Sequence, residues 1–136
     1  MKDIVGGFRM RKLFVYLGGI LLIIWGISHL FPTSNVVAGF GNISYNNVLI
    51  IKMEWINESF TLIFLGILTI VVTMLNDSNN KITKTVYILN FFMLAAMSIL
   101  SLFTGFKIDF LPFKLCPLIF ITSGLMILQG VAGFRK

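Results

Sequence analysis

The sequence predicts an all-α membrane protein, a four-helix antiparallel transmembrane bundle. Three observations lead there. The 136 residues are 57% hydrophobic and only 12% charged, whereas a soluble domain carries about 25% charged residues. With half that charge the chain cannot cover a water-facing surface. Four stretches are each close to the ~20 apolar residues that cross a hydrocarbon core of ~30 Å. Open strands are excluded, because unpaired backbone groups in lipid cost several kcal/mol each.

The first span covers residues 13–31, an apolar run broken by Tyr16, Ser28 and His29. The basic segment before it resembles a signal-peptide n-region. The apolar run is too long for a leader and no small-residue cleavage pattern follows, so a retained helix is expected. The second span covers 48–75, with its most apolar part from Phe60 onward. The third covers 86–106 and the fourth 115–134, making residues 1–136 a single transmembrane domain. Pro32-Thr33-Ser34-Asn35 opens the first outer loop and reads as a turn. The loops at 76–85 and 107–114 are short, so the spans they join form antiparallel hairpins.

Lys and Arg positions orient such a bundle. One side holds Lys2, Arg9, Arg11, Lys12, Lys81, Lys84, Arg135 and Lys136; the other holds Lys52, Lys107 and Lys114. The bias places both termini in the cytoplasm, and the expected location is a bacterial inner membrane. The net charge of +6 is a topological signal, and no nucleic-acid partner is expected.

Membrane helices associate through small and polar residues, since lipid is as apolar as leucine. Helical spacing sets Gly19, Gly26 and His29 on one face of the first span. It groups Glu54, Glu58, Thr61, Thr69 and Thr73 in the second, and Asn90, Met97, Ser101 and Thr104 in the third. Cys116, Ser123 and Gly130 recur at sevens in the fourth. Trp25 and Trp55 read as interfacial anchors, Asn90 and Gln129 as interhelical hydrogen-bonding groups, and Pro117 as a first-turn proline.

The residues capable of chemistry gather at the outer helix ends. His29, Glu54, Glu58, Lys114 and Cys116 are the candidate ligand-binding residues. Glu54 and Glu58 are i and i+4, so both carboxylates point the same way. His29 and Glu58 are expected to meet inside the outer half of the bundle, with Glu54 or Lys114 supplying charge. Cys116 reads as a packed thiol. A single His and a single Cys, without an HExxH spacing, form no metal motif, so no metal or cofactor is expected. No catalytic triad, phosphate loop or nucleotide fingerprint is present, so no catalytic residue is assigned.

Three segments carry a resemblance: Gly26-Ile27-Ser28-His29-Leu30-Phe31-Pro32, Met53-Glu54-Trp55-Ile56-Asn57-Glu58 and Leu111-Pro112-Phe113-Lys114-Leu115-Cys116-Pro117. Together they resemble a group of small bacterial four-span membrane proteins. More distantly, the layout is similar to the DoxX-like membrane proteins, four-helix bundles of which some associate with redox or quinone-linked complexes. Those proteins commonly end the first span with Lys where this chain has His29.

Three function classes fit these observations. The first is a membrane protein binding a lipid, quinone or other small molecule in an outer polar pocket. The second is an accessory subunit packed on a larger membrane protein or on further copies of itself. The third is a small multidrug-type, proton-coupled transporter, which the strong Lys/Arg bias argues against.

Overall fold

The computed structural model describes residues 2–75 and 80–131, with side chains described from Met10 onward. Its elements are helix α1 (Lys2–Leu30), α2 (Thr33–Ala38), α3 (Tyr45–Leu75), α4 (Lys81–Phe103), a 3-10 turn (Gly105–Lys107) and α5 (Leu111–Leu128). Helices α1, α3, α4 and α5 are long and apolar enough to cross a membrane. No strand occurs among the described residues, and the protein is an all-α integral membrane bundle.

Polar and apolar residues are distributed opposite to a soluble protein. Ile20, Ile24 and Ile27 of α1, Phe60, Phe64 and Ile67 of α3, and Leu89 and Phe92 of α4 are exposed on the outer faces. His29, Ser59, Thr69, Thr73, Thr83, Asn90 and Ser123 are buried. Several buried hydroxyls are satisfied within their own helices: Ser59 donates to the Trp55 carbonyl at 3.0 Å and Thr69 to the Leu65 carbonyl at 2.8 Å. Such local bonds satisfy these side chains without a partner from another helix, whereas the buried hydroxyls of Thr83 and Ser123 have no partner among the described residues. Leu22, Leu62, Leu94 and Phe120 fill the space between them.

Helix α1 packs chiefly against α3 and then α5, while α5 packs chiefly against α4. Glycines bring the α1 and α3 backbones together. A methyl group on Gly66 would lie 2.5 Å from the Gly19 carbonyl oxygen, and one on Gly26 would lie 2.8 Å from the Ser59 carbonyl oxygen. Gly18, one residue from Gly19, faces α5 instead, where a methyl would lie 3.0 Å from the Ser123 carbonyl oxygen. One helix thus presents glycine to both neighbours.

The seam between α3 and α4 is sparse. Its inner part is tied by Tyr87 to Thr73, oxygen to oxygen at 2.8 Å, and by Asn90, whose amide donates to Thr69 Oγ1 at 2.8 Å. Carried outward along the antiparallel pair, the same register sets Glu58 across from Ser101. There the two helices leave a gap.

Several sequence expectations need correction. The first outer loop contains α2, whose Val36 is buried against the bundle. α4 begins at Lys81, ahead of residue 86, because the Asn80 side chain accepts from the Ile82 N–H at 2.9 Å and caps it. α5 begins at Leu111, so Pro117 lies inside the helix and not in its first turn. α5 ends at Leu128 and Gln129 is exposed. The end of the fourth predicted span, with Arg135 and Lys136, lies outside the described residues, as do the side chains of Lys2 and Arg9.

Replacing Gly66 with Ala or Gly26 with Leu is expected to lower stability by about 1–3 kcal/mol, the usual cost of overpacking. Ile24→Phe, on the outer face of α1, is expected to leave it unchanged. Thermal unfolding in detergent, read by loss of the monodisperse elution peak, measures both.

Candidate functional site

The outer end of the bundle begins where α1 ends. His29, in its last turn, is 2% exposed. Gly26, three residues earlier, lets α1 approach α3 closely enough for the His29 ring to stack on Trp55. The ring centroids are 4.6 Å apart with planes at 24°. The Trp55 indole N–H donates to the His29 carbonyl. Trp25 meets the other side of the imidazole edge-on at 5.2 Å, and Phe113 closes on Trp55 at 5.1 Å. Two tryptophans, from α1 and α3, thus pack on the histidine, and Phe113 of α5 backs the second of them. Trp55 is therefore not an interfacial anchor; it is 5% exposed and holds the end of α1.

His29 Nδ1 lies 3.2 Å from the Trp25 carbonyl oxygen, four residues back. A carbonyl only accepts, so the contact calls for the proton on Nδ1, and in the neutral ring Nε2 then keeps its lone pair. Nε2 lies 3.4 Å from the Cys116 sulfur. Cys116 belongs to the second turn of α5 and is buried. Glu58 of α3 completes the group: one donor atom each from His29, Glu58 and Cys116 lie within 4.8 Å of one another. These three residue types are all metal-ligand types.

A cavity of about 580 Å³ adjoins this cluster. α3 forms one wall with Glu54, Asn57, Glu58 and Thr61, and α4 the other with Met93, Met97, Ser101 and Thr104. Val36 and Phe40 cover the outer end, and Phe113 and Cys116 form the back. The cavity occupies the gap in the α3–α4 seam, and its mostly apolar lining carries carboxylate and amide groups from α3 and hydroxyls from both helices.

The five residues singled out by sequence divide. His29, Glu58 and Cys116 converge. Glu54 is exposed and lines the same cavity. Lys114 does not join them: its ammonium pairs with Asp109 at 2.7 Å on the outer surface. The reason is proximity along the chain, since Asp109 precedes α5 by two residues. Glu58 consequently has no ion pair among the described residues. Sequence reasoning missed the aromatic cluster of Trp25, Trp55 and Phe113. Aromatic residues near a membrane boundary look like anchors until a histidine at the same depth is placed between them.

The exposed pair has one consequence for pH. The hydrogen bond from Lys114, followed by its charge, holds the Asp109 carboxyl below its ordinary range. A carboxylate depressed in the folded state stabilises above its unfolded pKa and loses that contribution as pH falls through its folded value. The expected result is a depressed Asp109 midpoint by NMR titration, restored to an ordinary value by Lys114→Met. Because the Asp109 side chain is 98% exposed, solvent screening keeps the effect on stability small, and the melting temperature at neutral pH should barely move.

Comparison of the chain with protein-family models, curated proteins and solved structures returns no match. The site is therefore read from its own geometry.

Proposed function

We propose that this protein binds an amphiphilic small molecule, a lipid or a quinone, in the outer half of its bundle. The observation that carries this reading is the cavity between α3 and α4. Its lining is mostly apolar, its polar groups come from facing positions of α3 and α4, and it coincides with the sparse part of a seam between two lipid-facing helices. Binding pockets for small molecules combine a mostly apolar lining with a few convergent polar groups. An apolar tail would lie along Met93, Met97 and Leu100. A head bearing hydroxyl or amine donors would meet Glu54 and Glu58, and a carbonyl-bearing head would meet the hydroxyl of Ser101. Entry would be sideways from the bilayer, which supplies such molecules at high local concentration.

The orientation belongs to the same proposal. The Lys/Arg bias supports cytoplasmic termini in a bacterial inner membrane, which puts the cavity in the outer leaflet. A second reading, an accessory subunit of a larger complex, draws on α4. It is the least buried of the four spans, and its outward Phe92, Ile99 and Phe103 would suit a partner helix as well as lipid.

Two measurements test the proposal. Diazirine-bearing quinone and phospholipid probes in proteoliposomes are expected to label residues lining the cavity around Met97 and Ser101. Met97→Trp, which fills the cavity, should cut that labelling at least fivefold. Labelling spread evenly over outer-face residues such as Phe64 and Leu125, and unchanged by Met97→Trp, would discard the cavity as a binding site. In a Cys116→Ser background, an impermeant thiol reagent applied outside whole cells should modify Cys introduced at Ser34 or Asn47, both exposed, but not at Asn79, which lies outside the described residues. The reverse pattern would invert the orientation.

A further inference from the structure

The geometry points to a metal site: His29, Glu58 and Cys116 form a three-donor cradle for a divalent first-row transition ion, zinc or iron(II). The site goes beyond the amphiphile reading, since an apolar cavity needs no metal to hold a lipid.

Spacing is the first argument. The three donors come from α1, α3 and α5 and lie within 4.8 Å of one another. A tetrahedral ion with a metal–sulfur bond of about 2.3 Å and a metal–nitrogen bond of about 2.0 Å sets those two ligands about 3.5 Å apart. Cys116 Sγ and His29 Nε2 are 3.4 Å apart. The Glu58 carboxylate is half-buried and makes no hydrogen bond or ion pair among the described residues, so rotation of its side chain can bring it onto the ion.

Preparation of the donors is the second. Metal-bound histidines almost always donate their other ring N–H to a carbonyl or carboxylate, which fixes the tautomer and aims the lone pair. The Trp25 carbonyl does this for His29, and stacking on Trp55 holds the ring. The buried indole N–H of Trp25 finds no oxygen or nitrogen acceptor among the described residues and is directed at the Cys116 sulfur, a weak acceptor as a thiol. Deprotonated and bound to a metal, the same sulfur becomes a stronger acceptor for that N–H.

Charge is the third. A thiolate, a carboxylate and a neutral imidazole neutralise a dication, which suits a site where an unpaired buried charge is costly. On binding, the Cys116 S–H bond breaks: its electron pair goes to the metal and its proton to the buffer. Nε2 of His29 directs its lone pair to the metal in place of that proton. Imidazole and thiolate select such ions over magnesium and calcium, which take oxygen ligands. Three protein ligands leave the fourth position open, the arrangement of catalytic rather than structural zinc. Glu58 and Cys116 both line the cavity, so the proposed site borders the space a ligand would enter.

Cobalt(II) alone is the probe, titrated into the full chain purified in lipid-free detergent after treatment with a chelator. The expected result is one equivalent bound, with thiolate-to-cobalt charge-transfer absorption, release of about one proton as metal ligands deprotonate, displacement by zinc and indifference to magnesium. Cys116→Ser should abolish the charge-transfer band. His29→Asn and Glu58→Gln should each weaken binding at least about tenfold, since even outer-shell changes cost 10–100-fold. Thermal melts identify any variant that fails to fold, and the wild-type titration is decisive without the variants. Absence of stoichiometric binding or of the charge-transfer band overturns the site, as does a wild-type spectrum in Cys116→Ser or unweakened binding in both other folded variants. Probe labelling of the chelator-treated protein reports on the amphiphile reading separately, so either proposal can fail alone.

Discussion

Backbone contact between α1 and α3 is the constraint on which the rest of the molecule depends. In lipid there is no hydrophobic gain in pressing two leucine-covered helices together, so close association needs surfaces without side chains. Gly19, Gly26 and Gly66 supply them. Their consequence extends beyond adhesion. Once Gly26 rests on the backbone at Ser59, the last turn of α1 has one possible neighbour on α3. His29 falls on Trp55, and its carbonyl meets the indole N–H. The candidate cluster is thus positioned by a glycine contact about one turn before it.

The same contact explains the gap. With α1 held between α3 and α5, helix α4 closes the bundle by packing on α5 and touches α3 only lightly. Tyr87 and Asn90 reach across the inner part of that seam because they are long enough and find Thr73 and Thr69. Farther out the facing residues are Glu58 and Ser101. A carboxylate and a short hydroxyl cannot fill the space that Tyr87 fills, and the seam stays open. The cavity is a product of residue size along one register, with polarity concentrated where packing fails.

Much of this was legible in the sequence, and the illegible parts have a common cause. The four spans follow from composition and run length, properties of single segments. The stripes of Gly19 with Gly26, and of Cys116 with Ser123 and Gly130, follow from periodicity, and these residues lie against neighbouring helices as expected. The pairing of His29 with Glu58 was legible from depth and phase together. What the sequence hid were relations between segments. Lys114 looked like the counter-charge for Glu58 because both sit at the outer end; Asp109 takes it by being five residues away in the chain. Trp55 looked like an anchor because anchors share its depth, and only the α1–α3 crossing reveals that it faces inward. α2 escaped notice because its Pro-Thr-Ser-Asn start is equally good turn chemistry and helix-initiating chemistry.

Burial and access at this site are in tension, and the fold resolves the tension by direction. Trp25 and Trp55 pack on His29, Phe113 backs Trp55, and the histidine is almost fully buried. Cys116 and Glu58, the two residues grouped with it, line the cavity beside α4, where the seam is open. A buried polar group with no open neighbour could only stabilise or destabilise the bundle. Here the buried imidazole is in contact with a thiol that lines the gap, in an environment where water competes weakly for donors and acceptors. The chemistry of the cluster and the location of the gap therefore belong together: the same short side chains that leave α3 and α4 apart are the ones that give the opening its polar edge.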